Sequence, residues 1–299
     1  MLRTVEAVLT SDAMAFPPPG YTRQLYKHVK LSELLVPVQW STHPCHATKL
    51  AFGLDNHWEL AALWVATHIV KIRTGGSPSF FDQWVDQLEG VASAPPRRRQ
   101  ALSAYLHDDI GSPATPPNPQ HFRGLLVEHV WHALVTELPS VAGTLVHVEE
   151  PSWSATDSGG DGLAIYRNTG DELVFRLWES KWHGTQDSAR DTARKAANQI
   201  RLKATHYLAR LSKVGERFDD PDLRDFCSRL VELWVNQDSR AGAGVAIAAQ
   251  PAADRRDTFG VLAKHWAWFS PHQREGLLAV VQSLNDFAET TLRYIWKGL

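Results

Sequence analysis

Two short segments hold the residues best suited to do chemistry together. Asp161 stands in the run SGGDGLAIY, and Glu179-Ser180-Lys181 lie in FRLWESKWH. Asp161–Arg167 and Glu172–Lys181 are β-rich runs, and the residues between them, Asn168-Thr169-Gly170-Asp171, have the composition of a hairpin turn. If that turn sets Asp161 opposite Glu179, then Leu163 faces Leu177 and Ile165 faces Phe175. Side chains alternate faces with period two, so all of these, with Lys181, share one face. That face is apolar and ends in two carboxylates and an ammonium. A slip of one residue breaks the match, so the register is itself a test. Adjacent carboxylates repel, and a cation between them removes the repulsion. Mg²⁺, or Mn²⁺ in its place, takes oxygen ligands, commonly one or two carboxylates with waters and substrate phosphate. Asp161 and Glu179 are the expected ligands, with a further one from the Ser180 backbone carbonyl. Such a cation polarises a phosphate and lowers the pKa of its water. Lys181 is then expected to orient the attacking water or to offset charge in the transition state. The reaction these residues suit is hydrolysis of a phosphodiester bond.

The elements that must position them come in an informative order. Phe122–Leu138 (FRGLLVEHVWHALVTEL) is a helix by length and composition, apolar on most sides. Its Glu128 is costly to bury as an anion unless paired or metal-bound, so it is expected to point towards the same site. Leu145–Glu150 alternates like a strand. After the hairpin come a long helix, Gln186–Leu211, a short apolar strand, Gly244–Gln250, and a closing helix, Gln273–Lys297. On the long helix Arg190, Arg194, Lys195, Arg201, Lys203, Arg210 and Lys213 offer cations for backbone phosphates, while Ala193, Ala197, Ile200, Ala204, Tyr207 and Leu208 suit packing on a core. The Pro-rich run Gly111–Gln120 is the better of two boundaries, the other being Ala94–Arg99. It divides a mixed N-terminal accessory region, 1–115, with a helix near Asn56–Arg73, from a domain at 116–299.

These residues resemble the PD-(D/E)xK nuclease superfamily over roughly residues 121–250. The resemblance rests on Glu128 in GLLVEHVW, Asp161 in SGGDGLAIY, Glu179-Ser180-Lys181 in FRLWESKWH, and the order α-β-β-β-α-β. Gly160 stands where the eponymous motif has proline. The resemblance implies an α/β fold with a restriction-endonuclease-like core and a metal-dependent nuclease acting on nucleic acid, with DNA the first expectation. Gln199 lies where related nucleases keep a polar residue that assists the site. Within the superfamily, FRGLLVEHVWHAL … GDGLAIY … LWESKWH … ARKAANQI is most similar to the effector nuclease of the Hachiman anti-phage system, which implies a helicase partner and a role in bacterial defence. The alternative is a non-catalytic nucleic-acid-binding or adaptor subunit built on a nuclease-like fold.

Each sharp reading has a plainer neighbour. Glu-x-Lys on an exposed strand is often a solvated charge pair, and a basic amphipathic helix is often only a soluble face. His129 and His132 lack the HExxH order of zinc proteases and read as packing or surface residues. His43, Cys45 and His46 lack a second cluster to complete a zinc site. His183 either contacts phosphate or caps its strand. Trp178 and Trp182 read as packing rather than a stacking platform. The turn SGGDG is not a phosphate loop, since no Lys-Ser/Thr follows. With 43% hydrophobic and 21% charged residues the chain is ordinary globular composition, which excludes a disordered class. Its net charge of −2, from 31 basic and 33 acidic residues, requires a nucleic-acid enzyme to gather positive charge in a patch. The two cysteines, Cys45 and Cys227, make no disulfide framework. With no long apolar run, the expectation is a soluble cytoplasmic protein without membrane contact.

Overall fold

The hairpin organises everything around it. A computed structural model describes residues 17–38, 46–52, 58–75, 77–151, 161–253 and 257–299. In it Gly162–Arg167 (β4) and Leu173–His183 (β5) pair antiparallel, with Leu163 opposite Leu177 and Ile165 opposite Phe175, as the alternation requires. The turn closes because Asn168 Oδ1 accepts hydrogen bonds from the Gly170 and Glu172 amides at 2.9 Å each, while Asp171 takes φ 64°. Asp161 precedes β4, and its amide donates to the Trp178 carbonyl at 3.1 Å.

Around this pair the chain builds a mixed α/β fold with one seven-stranded sheet, ordered β1-β2-β7-β6-β5-β4-β3. The remaining strands are Leu35–Val38 (β1), His46–Phe52 (β2), Thr144–Val148 (β3), Ala243–Ala249 (β6) and Arg274–Val280 (β7). The helices are Tyr21–His28 (α1), Leu31–Leu34 (α2), Trp58–Arg73 (α3), Pro78–Leu88 (α4), Pro96–Ile110 (α5), Pro119–Glu137 (α6), Arg190–Leu211 (α7), Pro221–Ser228 (α8), Leu230–Val235 (α9), Gly260–His265 (α10) and Leu284–Lys297 (α11). Strands β5, β6, β7 and β2 run parallel in the middle of the sheet. Among the described residues, no helix is long and apolar enough to cross a membrane.

Alternation divides the core by sheet face. Ala164, Tyr166, Trp178, Ala246, Ala248, Leu277 and Ala279 pack with α3, α6 and α11. Leu163, Ile165, Phe175, Leu177, Val245, Ile247 and Leu278 pack with α7 to α10. Helix α6 starts where Asn118 Oδ1 caps the Gln120 amide at 2.9 Å and Pro119 occupies the first turn. Helix α7 lies close to the sheet because its inner face carries Ala193, Ala196, Ala197 and Ala204, all buried.

The expected closing helix over Gln273–Lys297 is corrected here: it is β7 followed by α11. β7 is buried along its whole length, so its run REGLLAV shows no two-residue alternation. Such a strand cannot be told from a buried helix by periodicity. Helix α7 also starts at Arg190 rather than Gln186. The expected boundary near residue 115 falls between α5 and α6, while the sheet runs through both sides of it. Residues from both sides also share bonds: Glu137 accepts from the Leu31 and Ser32 amides at 2.9 and 2.7 Å, and the Trp84 indole donates to the Ile295 carbonyl at 3.0 Å.

One glycine has a steric duty beside the hairpin. A Cβ on Gly162 would lie 1.8 Å from Cη2 of Trp131 on α6. We expect Gly162→Ala to destabilise the fold by about 2–3 kcal/mol through overpacking, measured by urea unfolding. An unchanged midpoint would mean that the indole moves freely.

Candidate active site

The C-terminal half of β5 brings the chemistry together. Glu179 is fully buried on the α7 face, its side chain 0% exposed, whereas the Lys181 side chain is 32% exposed. Lys181 Nζ donates to Glu179 Oε1, and Gln199 Nε2, from α7, donates to the same oxygen at 2.6 Å. Glu179 Oε2 is buried and makes no hydrogen bond among the described residues. Beside it, Asp161 Oδ2 accepts from the Ser180 amide at 2.5 Å and the Ser180 hydroxyl at 3.0 Å. The structure thus links Glu179, Lys181 and Gln199 through side chains, sets Asp161 on Ser180 beside them, and couples the two sets through charge.

Electrostatics follow from burial. Desolvation, then the nearby Asp161 charge, raises the Glu179 pKa to about 8 against the pull of Lys181 and Lys203. Burial also raises Asp161, opposed by Lys181 and by the two Ser180 donors. For Lys181 burial disfavours the charge, but Glu179 and Asp161 outweigh it and its pKa rises. A proton or a cation is therefore needed to reconcile the two carboxylates near neutral pH.

Glu128 sits on α6, on the opposite side of the sheet from α7, and is buried. Its charge reaches Lys181. Among the described residues, no three His, Cys, Asp or Glu side chains gather as a metal cage. The inner pair is therefore Asp161 and Glu179, with Glu128 acting from further off.

The α7 cations are spread along its outer face. Arg190 pairs with Asp257 at 2.7 Å, Arg194 with Asp191 at 3.2 Å, and Arg201 donates to Asn198 at 2.9 Å. Lys195 is exposed and its charge acts on Asp187; Lys203 is exposed and its charge acts on Glu179. His183 is buried, its Nδ1 2.8 Å from Thr192 Oγ1 and its Nε2 2.9 Å from the Asp187 carbonyl, so it ties β5 to the start of α7. His43, Cys45 and the Ser158–Gly160 part of SGGDG lie outside the described residues.

No protein-family model matches the chain, and comparison with curated proteins finds no significant match.

Two participants were not visible in the sequence. Tyr207 carries a hydroxyl 3.3 Å from Gln199 Nε2, which steadies the amide that holds Glu179. Its spacing of eight from Gln199, two helical turns, was the available signal. His68, on α3, joins the histidines of α6. Its Nε2 lies 3.2 Å from His132 Nδ1, its Nδ1 lies 2.8 Å from the Tyr26 hydroxyl, and the His129 ring stands edge-on at 5.7 Å. All three are buried.

Burial first, then neighbouring positive groups, keeps these histidines neutral. His132 falls to about 4, lowered also by His147 and raised by Glu149. His68 lies well below its usual range, with His132 and Lys71 adding to burial. So does His129, with His68, Arg73 and His132 adding. In the unfolded chain they take protons near pH 6.5, so folded stability is lost as pH falls below that value towards the folded pKa values. His132 alone accounts for about 2 kcal/mol between pH 7 and 5. Urea unfolding at both pH values should show that difference shrink in His132→Gln. An equal acid loss in wild type and variant would remove His132 from the account.

Proposed function

We propose that the chain is a metal-dependent nuclease of the PD-(D/E)xK type, with a restriction-endonuclease-like core, hydrolysing phosphodiester bonds in nucleic acid and foremost in DNA. One observation carries the reading: among the described residues Glu179 Oε2 is buried without a hydrogen-bond partner beside a second carboxylate, while Oε1 is held by Lys181 and Gln199. A buried carboxylate oxygen left so is costly, and a cation is the partner that suits it. The donors fit Mg²⁺ or Mn²⁺, because they are hard oxygens and include neither thiolate nor imidazole. Asp161 and Glu179 would hold the ion, the Ser180 carbonyl would complete the set, and Glu128 would support it from α6. When bound, it supplies Lewis acidity towards the phosphate and lowers the pKa of water.

The remaining work belongs to the chain. Ser180 fixes Asp161 by gripping Oδ2 from both its amide and its hydroxyl. Gln199 fixes Glu179 from the other side, and Tyr207 steadies Gln199. Lys181 keeps a proton and a full charge at neutral pH. From there it orients a water and offsets negative charge as it grows on the phosphate oxygens. Lys203 and its neighbours on α7 offer charge to the flanking phosphates. A place in anti-phage defence beside a helicase rests on the sequence resemblance alone.

The direct test incubates supercoiled plasmid, linear duplex and single-stranded DNA with the protein in Mg²⁺, Mn²⁺ or EDTA. Nicking or degradation is expected with either ion and is lost in EDTA. Binding without cleavage in every condition, RNA included, would make the chain a nucleic-acid-holding subunit instead.

A further inference from the structure

A cleft of about 410 Å³ opens between the start of α6 and the outer face of α11. Its volume is in the range of small-molecule sites. Pro119, Phe122 and Trp296 give it apolar walls, and Arg123, Arg293 and Glu289 also line it. Two of these side chains are anchored. The Trp296 indole donates to the Ile110 carbonyl at 3.0 Å, which fixes the ring, and Arg293 donates to Thr290 Oγ1 at 2.9 Å. Arg123 is the link to the candidate active site. Its guanidinium stacks 5.3 Å from the Trp182 ring centroid, and Trp182 follows Lys181 on β5. Trp182 turns to the α6 face of the sheet, so Arg123 reaches from the cleft to the strand that carries Glu179 and Lys181 on its other face.

We infer that this cleft holds one nucleotide of a single nucleic-acid strand whose scissile bond lies at Lys181, an inference that rests on the nuclease reading. The base goes against the partly exposed Trp296 ring, with the buried Phe122 beneath the apolar wall, as an aromatic platform takes any base by its π-face. The phosphate goes to Arg123 and Arg293, whose planar guanidinium groups suit it. Glu289 offsets part of that charge, so the cleft suits one phosphate rather than a run of them. A cleft with aromatic walls takes an unstacked base, and a paired base inside a duplex does not enter it. The substrate class is thus a single strand or a frayed end.

The test measures fluorescence anisotropy of a labelled oligothymidine of about twelve nucleotides, with a duplex of the same length beside it, all in EDTA. The proteins are wild type, Arg293→Glu, Glu289→Lys, and Arg97→Glu as a charge control at the far end of α5. Arg293 and Arg97 are both exposed, so the two reversals act on the surface. We expect Arg293→Glu to weaken single-strand binding roughly 10-fold and Glu289→Lys to tighten it a few-fold, with Arg97→Glu within about two-fold of wild type. Equal weakening by Arg293→Glu and Arg97→Glu, no weakening by either, or wild-type preference for duplex would overturn the cleft. The nuclease reading is judged separately, by wild-type hydrolysis of bis(p-nitrophenyl) phosphate in Mn²⁺ against EDTA. Loss of that reaction with retained Arg293-dependent binding would sink the catalysis and leave a single-strand-binding cleft.

Discussion

Lys181→Ala is expected to lower metal-dependent cleavage by roughly 10²–10³-fold, the usual cost of removing one charged or hydrogen-bonding group aimed at a developing anion. The side chain is well placed for a large effect. It is partly exposed, so it faces the substrate side, yet it bonds a carboxylate that is fully buried. The loss should fall on kcat, because ground-state binding of the strand draws on other cations. Affinity for Mn²⁺, measured by calorimetry, should not fall, since removing a positive neighbour leaves Asp161 and Glu179 more attractive to a cation. Lys181→Arg keeps the charge but changes its shape and reach, so it should recover only part of the activity. Equal cleavage by wild type and Lys181→Ala would remove Lys181 from the mechanism. A parallel loss of metal affinity would give it a structural role in place of a catalytic one.

The second large effect is a pH-dependent stability that a divalent cation reverses. Glu179 has a folded pKa of about 8, above its ordinary value of 4.5, so the metal-free fold favours the protonated acid. For a carboxylate raised in this way the unfolded chain releases its proton first. Stability is then highest below the unfolded value and falls as pH rises through the window up to the folded one. The unfolded histidines release their protons near pH 6.5, so each buried histidine adds about 0.4 kcal/mol of stability between pH 6.5 and 8, and the Glu179 contribution is read as wild type minus Glu179→Gln over that interval. That difference should fall by about 2 kcal/mol from pH 6.5 to 8. Millimolar Mg²⁺ or Mn²⁺ should restore it, raising Tm more at pH 8 than at pH 6.5, because at the lower pH the ion must displace a proton. Glu179→Gln should lack that fall, keep the rise that the histidines give, and respond little to the ions. Wild-type melts that ignore both cations, or a Glu179→Gln variant that responds equally, would argue against a cation at this carboxylate pair.

How much of this was legible varied with the local physics. The β4–β5 register was, because apolar alternation, a turn with Asn168 and Gly170, and two carboxylates at matching ends all pointed to one pairing. The cluster at Glu179 was partly so: Asp161 and Lys181 lie beside Glu179 as their spacing suggested and Gln199 bonds it as the resemblance implied, whereas Tyr207 had looked like core packing. Ser180 was expected to act through its carbonyl, and its amide and hydroxyl both grip Asp161, a contact set by the hairpin twist that no spacing reveals. The strand β7 was missed because both its faces are covered, so nothing alternates. The histidine group was missed for a different reason: His68 meets His132 only once α3 lies against α6, a contact between helices 64 residues apart.

The sheet order has a consequence for how the molecule is made. Strand β2 pairs in parallel with β7, although one is near the beginning of the chain and the other near its end. During synthesis the N-terminal strands must therefore wait, edge exposed, until residues 274–280 have been added, whereas the β4–β5 hairpin can close as soon as it emerges. Half-made chains would carry the hairpin of the candidate site but a sheet without its centre. A ribosome-bound chain stopped before β7 should be protease-sensitive at β1 and β2, and a cell that makes this protein would depend on keeping the open edge of β2 covered until β7 is in place.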